Sequence, residues 1–561
     1  MDLEAYPEAG GGELRAAHEG GGKVGARYHG LVIMRVRGEI FQVLVAGAGG
    51  GLLFLVLLLR LNPEIHEVPW HLMRAAVLWG LWGAAVLGLP LALVVRGIRR
   101  AGWLGHLSCF LPQVAAILFL LAAGLARVNA DIHSAFLTGS AHRILGQDAV
   151  AWLATALVLL GVDRWLRRRG DRRRIGVAAA ILLVLPGLRL LTEPTPPVEP
   201  APSVARSLGR ASRGLVVVGV EGLDLNLLLA SASEGRYPTL SRLVSEGAWG
   251  ALRPHRPFLR RSQWTSVAVG AYPRAHGVKS RWAWKIHGGF PEPVRLLPWT
   301  PVGSAWLLPR PVSRRVPPPP SLLPPLWERL AAGGMTAVAL DWPGVWAPGT
   351  TTEPPAGDRS WGTLEVNLRH SLDLALAPFP EEGEALHHSL ERDMANLAAA
   401  RRARPSSDAT VWLHLGALAT ARKFLEPLEV GDTDERAIQE LVLEMLDEEL
   451  EQLLLWRAEA LIAVVSPYGY ARPDSWERLR RLLGGGGRWR TSPRSCPDGV
   501  LVLVGQNVVP GTRFEEASLV DVAPTLCYLL GLPVAHSMEG NVIRGAVEPS
   551  YLARTPLRVV D

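Results

Sequence analysis

The stretch RPFLRRSQWTSVAVGAYPRAHGV, residues 256–278, holds two hydroxyl groups and one imidazole that could do chemistry, those of Ser262, Thr265 and His276. A serine or threonine hydroxyl is a weak nucleophile unless a base or a metal ion activates it. Either hydroxyl would attack an ester only if a shifted loop brought it to such a group. We therefore expect both hydroxyls to pack or to cap the following helix. His276 is predicted to form structural hydrogen bonds in its AHG turn, with a metal ligand as the alternative.

The other candidate groups are scattered along the chain. His414 lies in an apolar strand sequence and is predicted to be a core histidine. Asp224 and Asp521 are predicted to be a turn residue and a helix cap before APT, with acid roles as the alternative. The three cysteines have no CxxC or other ligand spacing, and a disulfide between the last two is left open. They are Cys109, Cys496 and Cys527.

The elements that must position these groups fall into two halves, of which the first is apolar. Five runs without a charged residue lie at 41–59, 75–95, 107–126, 149–162 and 175–188. The first three approach or reach the ~20 residues that cross a bilayer, and the last two are shorter. The sequence therefore predicts about five transmembrane helices, with buried soluble helices as the competing interpretation of the two short runs.

Arginine placement predicts the orientation of these spans. The N-terminal approach, the second loop and the stretch 164–174, which contains seven arginines, are basic, whereas the first and third loops are poorer in Lys and Arg. Because cytoplasmic loops carry the excess of basic residues, the N-terminus is predicted to be cytoplasmic and the chain after residue 191 extracytoplasmic. We expect a multi-pass protein of a bacterial-type inner membrane with a periplasmic C-terminal domain.

The position of the charges excludes one function class and disfavours another. The 561 residues carry a net charge of +7, but the densest basic run lies beside the apolar runs, which argues against nucleic-acid binding. No apolar run has an Asp, Glu, Lys or Arg near its centre, where a transport pathway would place one. The pattern therefore favours an anchor or docking bundle over a transporter with an accessory soluble domain.

The second half has the pattern of an α/β domain. Strand-like apolar runs end in glycine or polar residues within 326–344, 408–418, 460–470 and 499–511, and helical patterns lie between them. Strands that alternate with helices predict a mostly parallel sheet with helices on both faces. The predicted organisation is a tail (1–38), a membrane domain (39–191), a Pro-rich linker (192–212), an α/β domain (213–545) and a C-terminal tail (546–561).

Several ordered motifs of this half resemble one known family. GVEGLD, YPTLSRLVSEGAWGALRP, WTSVAVGAYPRAHGV, LWERLAAGGMTAVALDWP and ASLVDVAPTLCYLLGLPVAHSMEG resemble the type I phosphodiesterase/nucleotide pyrophosphatase branch of the alkaline-phosphatase superfamily. The resemblance implies an alkaline-phosphatase-like fold. It also implies two zinc ions at the carboxyl ends of the strands, which would hold the phosphate while a Thr or Ser attacks phosphorus.

The resemblance also shows what stands at the catalytic positions. The first-strand Asp of the family is replaced by Glu and the nucleophile by Arg. The Asp and His ligands of the later strands are replaced by Leu, Arg, Pro, Tyr and Ser. The seven positions are Glu221, Arg260, Leu418, Arg422, Pro467, Tyr468 and Ser495. Leu and Pro side chains cannot ligate a metal, and Arg does not lose its proton. We therefore expect neither metal ions nor any other cofactor.

Two hypotheses follow for the arginines at these positions. In the family fold Arg260 and Arg422 converge on Glu221, so they form either a structural salt bridge or a pocket for a phosphate or carboxylate. The overall prediction is a membrane-anchored pseudoenzyme with a binding, scaffolding or assembly role outside the cytoplasm. Its expected partners are the membrane, another membrane or envelope protein and an anionic ligand. The alternative is an active phosphodiesterase or phosphotransferase acting on lipid or envelope phosphate esters.

Overall fold

The computed structural model divides the chain into two compact units. Unit 1 comprises residues 1–131, 139–196 and 284–314, and unit 2 comprises 132–138, 197–283 and 315–561. The structure describes residues 38–65, 69–100, 110–169, 173–191, 207–279, 283–287, 289–301, 304–313, 321–344, 363–377, 380–403, 409–423, 432–455, 460–470 and 497–561.

Unit 1 is built on helices that follow the predicted apolar runs. They are α1 (Gly38–Leu61), α2 (Pro69–Gly83), α3 (Leu89–Arg100), α4 (Leu111–Ile132), α5 (Gly139–Arg168) and α6 (Arg174–Leu190). A π-helical turn, Ala84–Gly88, joins α2 to α3 without a break, so that the two form one continuous helix. Two short strands of the same unit, β3 (Lys285–Ile286) and β4 (Val312–Ser313), pair antiparallel.

Four of these helical stretches are long and apolar enough to cross a membrane: residues 38–61, 69–94, 111–132 and 139–168. The fourth predicted run, 149–162, extends at both ends into the 30-residue helix α5. The fifth run corresponds to α6, which has 17 residues. The fifth span and the direction of insertion stay predictions.

Glycines allow α1 to lie directly against α2. A Cβ on Gly47 would stand 2.6 Å from the carbonyl oxygen of Gly83, and a Cβ on Gly51 would overlap the carbonyl oxygen of Trp79. On another side of α1, a Cβ on Gly49 would overlap the Leu182 side chain of α6. Small residues four apart allow helix backbones to approach closely, which is how helices associate in lipid.

Buried polar side chains connect the ends of these helices. The Oε1 atom of Gln42 accepts hydrogen bonds from the backbone N–H groups of Phe110 and Leu111, at 3.0 and 3.1 Å. Near the C-terminus of α1, Arg60 Nε donates to Asp148 Oδ2 of α5 at 2.9 Å.

The other end of α5 is held similarly, because Gln113 Nε2 of α4 donates to Asp163 Oδ2 at 2.7 Å. Asp148 and Asp163 flank the predicted run at 149–162. The helix therefore continues through carboxylates that have partners on other helices, and this is why the uncharged run underestimates its length.

We predict that Gly51→Ala will destabilise unit 1. The new methyl group would push α1 away from Trp79, and overpacking of this kind costs about 1–3 kcal/mol. The matched control is Gly146→Ala in α5, where no heavy atom lies within 4 Å of the new Cβ. Thermal unfolding of the full chain in detergent, followed by tryptophan fluorescence, measures both variants. Equal unfolding midpoints for the two would contradict the close α1–α2 contact.

Unit 2 contains the α/β fold. Its strands are β1 (Gly214–Val220), β2 (Ala248–Arg253), β5 (Thr336–Leu340), β6 (Ala409–Leu415), β7 (Ala460–Tyr468), β8 (Asp498–Val504), β9 (Thr512–Arg513), β10 (Ala517–Ser518), β11 (Val534–Ala535) and β12 (Val559–Val560). Its helices are α7 (Leu225–Ser233), α8 (Pro238–Glu246), α9 (Arg260–Val269), α10 (Pro273–His276), α11 (Leu326–Ala332), α12 (Thr363–Leu376), α13 (Pro380–Ala403), α14 (Ala417–Lys423), α15 (Asp432–Leu454), α16 (Val522–Leu529) and α17 (Pro549–Arg554).

The main sheet has the strand order β10-β2-β8-β7-β1-β6-β5, and β9 also pairs with β2. All neighbouring pairs are parallel except those of β8, which runs antiparallel to both β2 and β7. This confirms the predicted mostly parallel sheet. Because β7, β1 and β6 are adjacent and parallel, their carboxyl ends meet at one edge of the sheet.

Both faces of this sheet are buried, as the uninterrupted apolar strand sequences predict. Leu215 and Val217 of β1 pack in the core on one face, with helices α9, α11 and α16. Val216 and Val218 pack in the core on the other face, with helices that include α8, α13 and α15.

The units differ from the predicted boundaries in several places. Residues 132–138, which the prediction includes in the membrane domain, belong to unit 2. Residues 284–314, which the prediction includes in the α/β domain, pack with the helices of unit 1. Residues 546–561, predicted to be a separate tail, belong to unit 2, where β12 pairs with β11 and Tyr528 donates a hydrogen bond to the carbonyl of Thr555.

Candidate functional site

The fold brings six of the seven predicted site positions to one edge of the sheet. Glu221 directly follows β1, and Arg260 is the first residue of α9. Leu418 and Arg422 lie in α14, just after β6, and Pro467 and Tyr468 end β7. The seventh position, Ser495, lies outside the described residues.

Glu221 is the centre of this edge. Its side chain is only 8% exposed and is bound by Arg260, whose Nε donates to Oε1 at 2.6 Å and whose Nη2 donates to Oε2. The Tyr468 hydroxyl donates to Oε1 at 2.6 Å, and His414 Nε2 lies 3.4 Å from Oε2. Every partner of the carboxylate is thus a positive charge or a hydrogen-bond donor.

The ionisation of these groups follows from their contacts. Burial alone would raise the pKa of the Glu221 carboxyl, but the charge of Arg260, the nearby His414 imidazole and the hydrogen bonds from Arg260 hold that pKa well below its usual range. Burial and the adjacent carboxylate raise the pKa of the Tyr468 hydroxyl. Glu221 is therefore an anion that forms an ion pair with Arg260, and Tyr468 stays neutral.

Arg422 belongs to a separate ion pair. Its Nη1 donates to Asp224 Oδ2 at 2.7 Å and to the carbonyl of Gly222 at 2.6 Å, and its Nη2 donates to the carbonyl of Tyr470 at 3.2 Å. Its side chain is only 13% exposed. The salt bridge to Glu221 is thus confirmed for Arg260, whereas Arg422 pairs with a different carboxylate.

A pair of zinc ions does not fit this arrangement. Leu418 is 3% exposed and packs in the core, and Pro467 is buried within β7. Throughout the part of the chain that the structure describes, no three His, Cys, Asp or Glu side chains are grouped so that they could hold a metal ion. Glu221, the carboxylate at the position of the family's first-strand Asp, is already bound by Arg260.

The hydroxyls of the opening stretch have structural positions. Ser262 is fully buried, and Thr265 Oγ1 donates to the carbonyl of Arg261 at 2.8 Å. His276 Nε2 lies 3.0 Å from Ser266 Oγ, while its Nδ1 accepts from the N–H of Val278 at 3.1 Å. Burial lowers the pKa of His276 to about 3, so the imidazole is neutral. The prediction of a structural histidine is confirmed.

Asp521 takes part in a capping box just before APT, as predicted, whereas Asp224 is a helix cap and not the predicted turn residue. Asp224 caps α7, because its Oδ1 accepts from the N–H of Leu227 at 2.9 Å. Asp521 accepts from the N–H groups of Ser518 and Asn541, at 2.8 and 2.7 Å.

A buried tryptophan cluster beside the site was missed from the sequence. The indole of Trp264, one turn after Arg260, meets Trp342 edge-on at 5.1 Å and His414 at 4.9 Å between ring centroids. Trp342 also packs edge-on against Trp412 at 5.1 Å. The 20 tryptophans of the sequence are the only hint of such a cluster, because no periodic spacing relates these three residues.

Asp393 was also missed. This residue of α13 is buried, and its two carboxylate oxygens accept from the N–H groups of Gly416 and Ala417, both at 2.8 Å. It thereby fixes the turn from β6 into α14, which carries Leu418 and Arg422. Burial raises the pKa of Asp393 to about 7 although both hydrogen bonds favour the anion.

Comparison with known proteins assigns this part of the chain. Residues 215–484 match the model of the family described as type I phosphodiesterase / nucleotide pyrophosphatase. Over this stretch the chain is similar to that family. No curated protein matches the chain.

Two solved structures are similar in fold to this chain. Murine ectonucleotide pyrophosphatase/phosphodiesterase 5 is 11% identical, with 57% of this chain and 95% of that chain covered and a TM-score of 0.31. The alkaline phosphatase PafA is 9% identical, with 60% of this chain and 99% of that chain covered and a TM-score of 0.37. Neither likeness bears on activity.

We predict that Arg260→Met will lower the free energy of unfolding by about 1–3 kcal/mol, because it leaves the buried Glu221 carboxylate without its countercharge. The loss is smaller than for a fully buried pair, since the Arg260 side chain is 47% exposed and its charge is partly screened. Chemical denaturation of the full chain in detergent at pH 7 measures it.

Two further variants test the cause. Glu221→Gln combined with Arg260→Met should recover most of the loss. Arg253→Met, whose partner Glu516 is 56% exposed, should change stability by less than about 0.5 kcal/mol.

The pH dependence of stability is a further test, because the pKa of Glu221 is depressed in the folded protein. The pair stabilises the fold fully at pH values above 4.5, the usual pKa of the carboxyl, and this effect is lost as the pH falls through the lower pKa of the folded state. The double variant should therefore be less acid-sensitive than the wild type. Equal losses for Arg260→Met and Arg253→Met would refute the role of the pair.

Proposed function

We propose that this chain is a membrane-anchored, non-hydrolytic member of the type I phosphodiesterase / nucleotide pyrophosphatase family that binds a partner outside the cytoplasm. The observation that carries the proposal is the Glu221–Arg260 ion pair at the carboxyl ends of the strands. A guanidinium group stands where the family resemblance places the attacking hydroxyl, and it is paired with Glu221, which stands at the position of the family's first-strand Asp.

The chemistry of the side chains supports this proposal. Arginine stays protonated at any workable pH and cannot act as a nucleophile. Its fixed positive charge opposes a divalent cation at the same place, and Leu418 and Pro467 offer no metal-binding side-chain atom. Hydrolysis would need an activated nucleophile, and these positions supply none.

The proposed location follows from the arginine pattern of the sequence. The basic stretch at 164–174 favours a cytoplasmic side for the end of α5, which puts unit 2 on the periplasmic side of a bacterial-type inner membrane. The partner we propose is a membrane or envelope protein, with unit 2 as its binding domain.

We predict that the full-length protein, purified with zinc in every buffer, will retain less than about 0.1 zinc ion per chain. It should hydrolyse an aryl phosphodiester no faster than buffer does. Elemental analysis and a chromogenic turnover assay measure the two quantities. Arg260→Thr, which restores the family's hydroxyl, should also be inactive because Leu418 and Pro467 remain. Two zinc ions per chain, or metal-dependent turnover by the wild type, would overturn the proposal in favour of an active phosphodiesterase.

The exposure of the Arg260 side chain favours a second candidate function, which is the binding of an anionic ligand. The arginine side chain is 47% exposed although its partner Glu221 is 8% exposed, so the guanidinium group is accessible from solvent. Guanidinium is well suited to phosphate and carboxylate groups. Arg422 is a weaker candidate for the same role because its donors are occupied by Asp224 and two backbone carbonyls.

We predict that inorganic phosphate and phenyl phosphate will bind about tenfold more weakly to Arg260→Met than to the wild type, as expected for the loss of one charged hydrogen bond. Isothermal titration of the full-length protein measures the affinities. Glu221→Gln/Arg260→Met is the second test variant, because it removes the same charge without leaving an unpaired carboxylate. Arg253→Met serves as the matched control. Equal affinities in all four proteins, or no binding to the wild type, would eliminate this second candidate.

A further inference from the structure

The segment at 284–314 has an unusual place in the chain. Its sequence lies inside the stretch that matches the phosphodiesterase family, residues 215–484. Its structure lies in unit 1, with the apolar helices. Part of the segment is extended, with alternate residues Val294, Leu296, Pro298 and Thr300 buried. One side of this stretch therefore packs into unit 1.

Asn62, directly after α1, binds this extended chain. Its Nδ2 donates to the carbonyl of Leu296 at 2.8 Å, and its Oδ1 accepts from the N–H groups of Leu296 and Arg295, at 2.9 and 3.0 Å. Nδ2 also donates to the carbonyl of Leu58, one turn back in α1, at 2.8 Å. The amide is 1% exposed and is held in one orientation by its own helix.

Asn129, in α4, repeats the same arrangement three residues further along the segment. Its Nδ2 donates to the carbonyl of Trp299 at 3.0 Å, and its Oδ1 accepts from the N–H of Trp299 at 2.6 Å. Nδ2 again donates one turn back in its own helix, to the carbonyl of Leu125 at 2.8 Å. This side chain is 0% exposed.

The repeated geometry has a simple physical meaning. A carboxamide carries a donor and an acceptor side by side, so it can pair with the N–H and C=O of one residue as a neighbouring β-strand would. An extended chain packed among apolar helices would otherwise have unpaired backbone groups, which cost free energy when they are buried. Phe290 adds an apolar contact, since its ring lies 5.5 Å from that of Trp79 in α2.

We infer that unit 1 is a docking site for the segment 284–314, which fastens the family domain to the membrane helices at a second point besides the linker 192–212. The inference does not depend on whether unit 2 hydrolyses phosphate esters. Its consequence is that cutting the linker leaves the two parts of the chain bound to each other. The membrane helices are then a specific receptor for part of the domain, and the linker is not the only connection.

The test is a cleavable full-length protein. Residues 195–200 are replaced by the recognition sequence of a site-specific protease, the protein is bound in detergent through a tag on its N-terminus, and the linker is cut completely. The C-terminal fragment of the wild type should stay on the resin.

The test variant is Asn62→Leu/Asn129→Leu, which cannot pair with the segment. Its C-terminal fragment should leave the resin at least about tenfold faster than that of the wild type. Gln42→Leu is the matched control: this buried amide binds the backbone of Phe110 and Leu111 within the bundle, so its release should equal that of the wild type.

Hydrogen exchange provides a second measurement, which is made on the wild type and so does not require that a substituted protein folds. The N–H groups of Leu296 and Trp299 should exchange slowly in the wild type both before and after the linker is cut. Rapid exchange at both positions after cutting would overturn the inference. So would wild-type release as fast as that of Asn62→Leu/Asn129→Leu, or equal release from that variant and Gln42→Leu.

Discussion

The contact between Glu221 and Arg260 is the interaction on which the family domain's site depends. A carboxylate that is 8% exposed is costly to bury, and it is stable here because a guanidinium, a phenol and an imidazole surround it. Arg260 comes from α9, Tyr468 from β7 and His414 from β6, while Glu221 follows β1. The contacts of this one carboxylate therefore connect the carboxyl ends of β7, β1 and β6. The position that the family resemblance assigns to paired cations is thus filled by a cluster whose charges are already matched.

The surroundings of this pair are built to support it. Arg422 and Asp224 form a second ion pair that ties α14 to the start of α7, and Asp393 holds the turn that precedes α14. The indole of Trp264 meets the imidazole of His414 edge-on, and His414 in turn lies beside Glu221. Apart from the partly exposed Arg260, the charged groups of this edge are therefore buried and paired.

Unit 1 achieves its packing by a different route. In lipid there is little hydrophobic gain when helices meet, so close backbone contact and hydrogen bonds must hold them together. Gly47 and Gly51 supply the close contact along α1. This is the most buried of the four long apolar helices, with 78% of its most apolar 18 residues buried. At one end of α1 the buried amide of Gln42 hydrogen-bonds to the start of α4, and at the other end the buried amide of Asn62 binds the segment 284–314.

The sequence by itself determined the apolar runs, the alternation of strands and helices, the family motifs and the loss of metal-binding residue types, because each of these depends on residues close together in the chain. It also identified the structural roles of His276 and Asp521, each of which has one partner within three residues, Val278 and Ser518. Only the tertiary structure decided that Arg260 pairs with Glu221 while Arg422 pairs with Asp224, since either arginine has the charge and the reach for either carboxylate. The full length of α5 and the place of residues 284–314 were decided in the same way. The partners of Asp148 and Leu296 are 88 and 234 residues away, and local patterns contain no information about contacts at that separation.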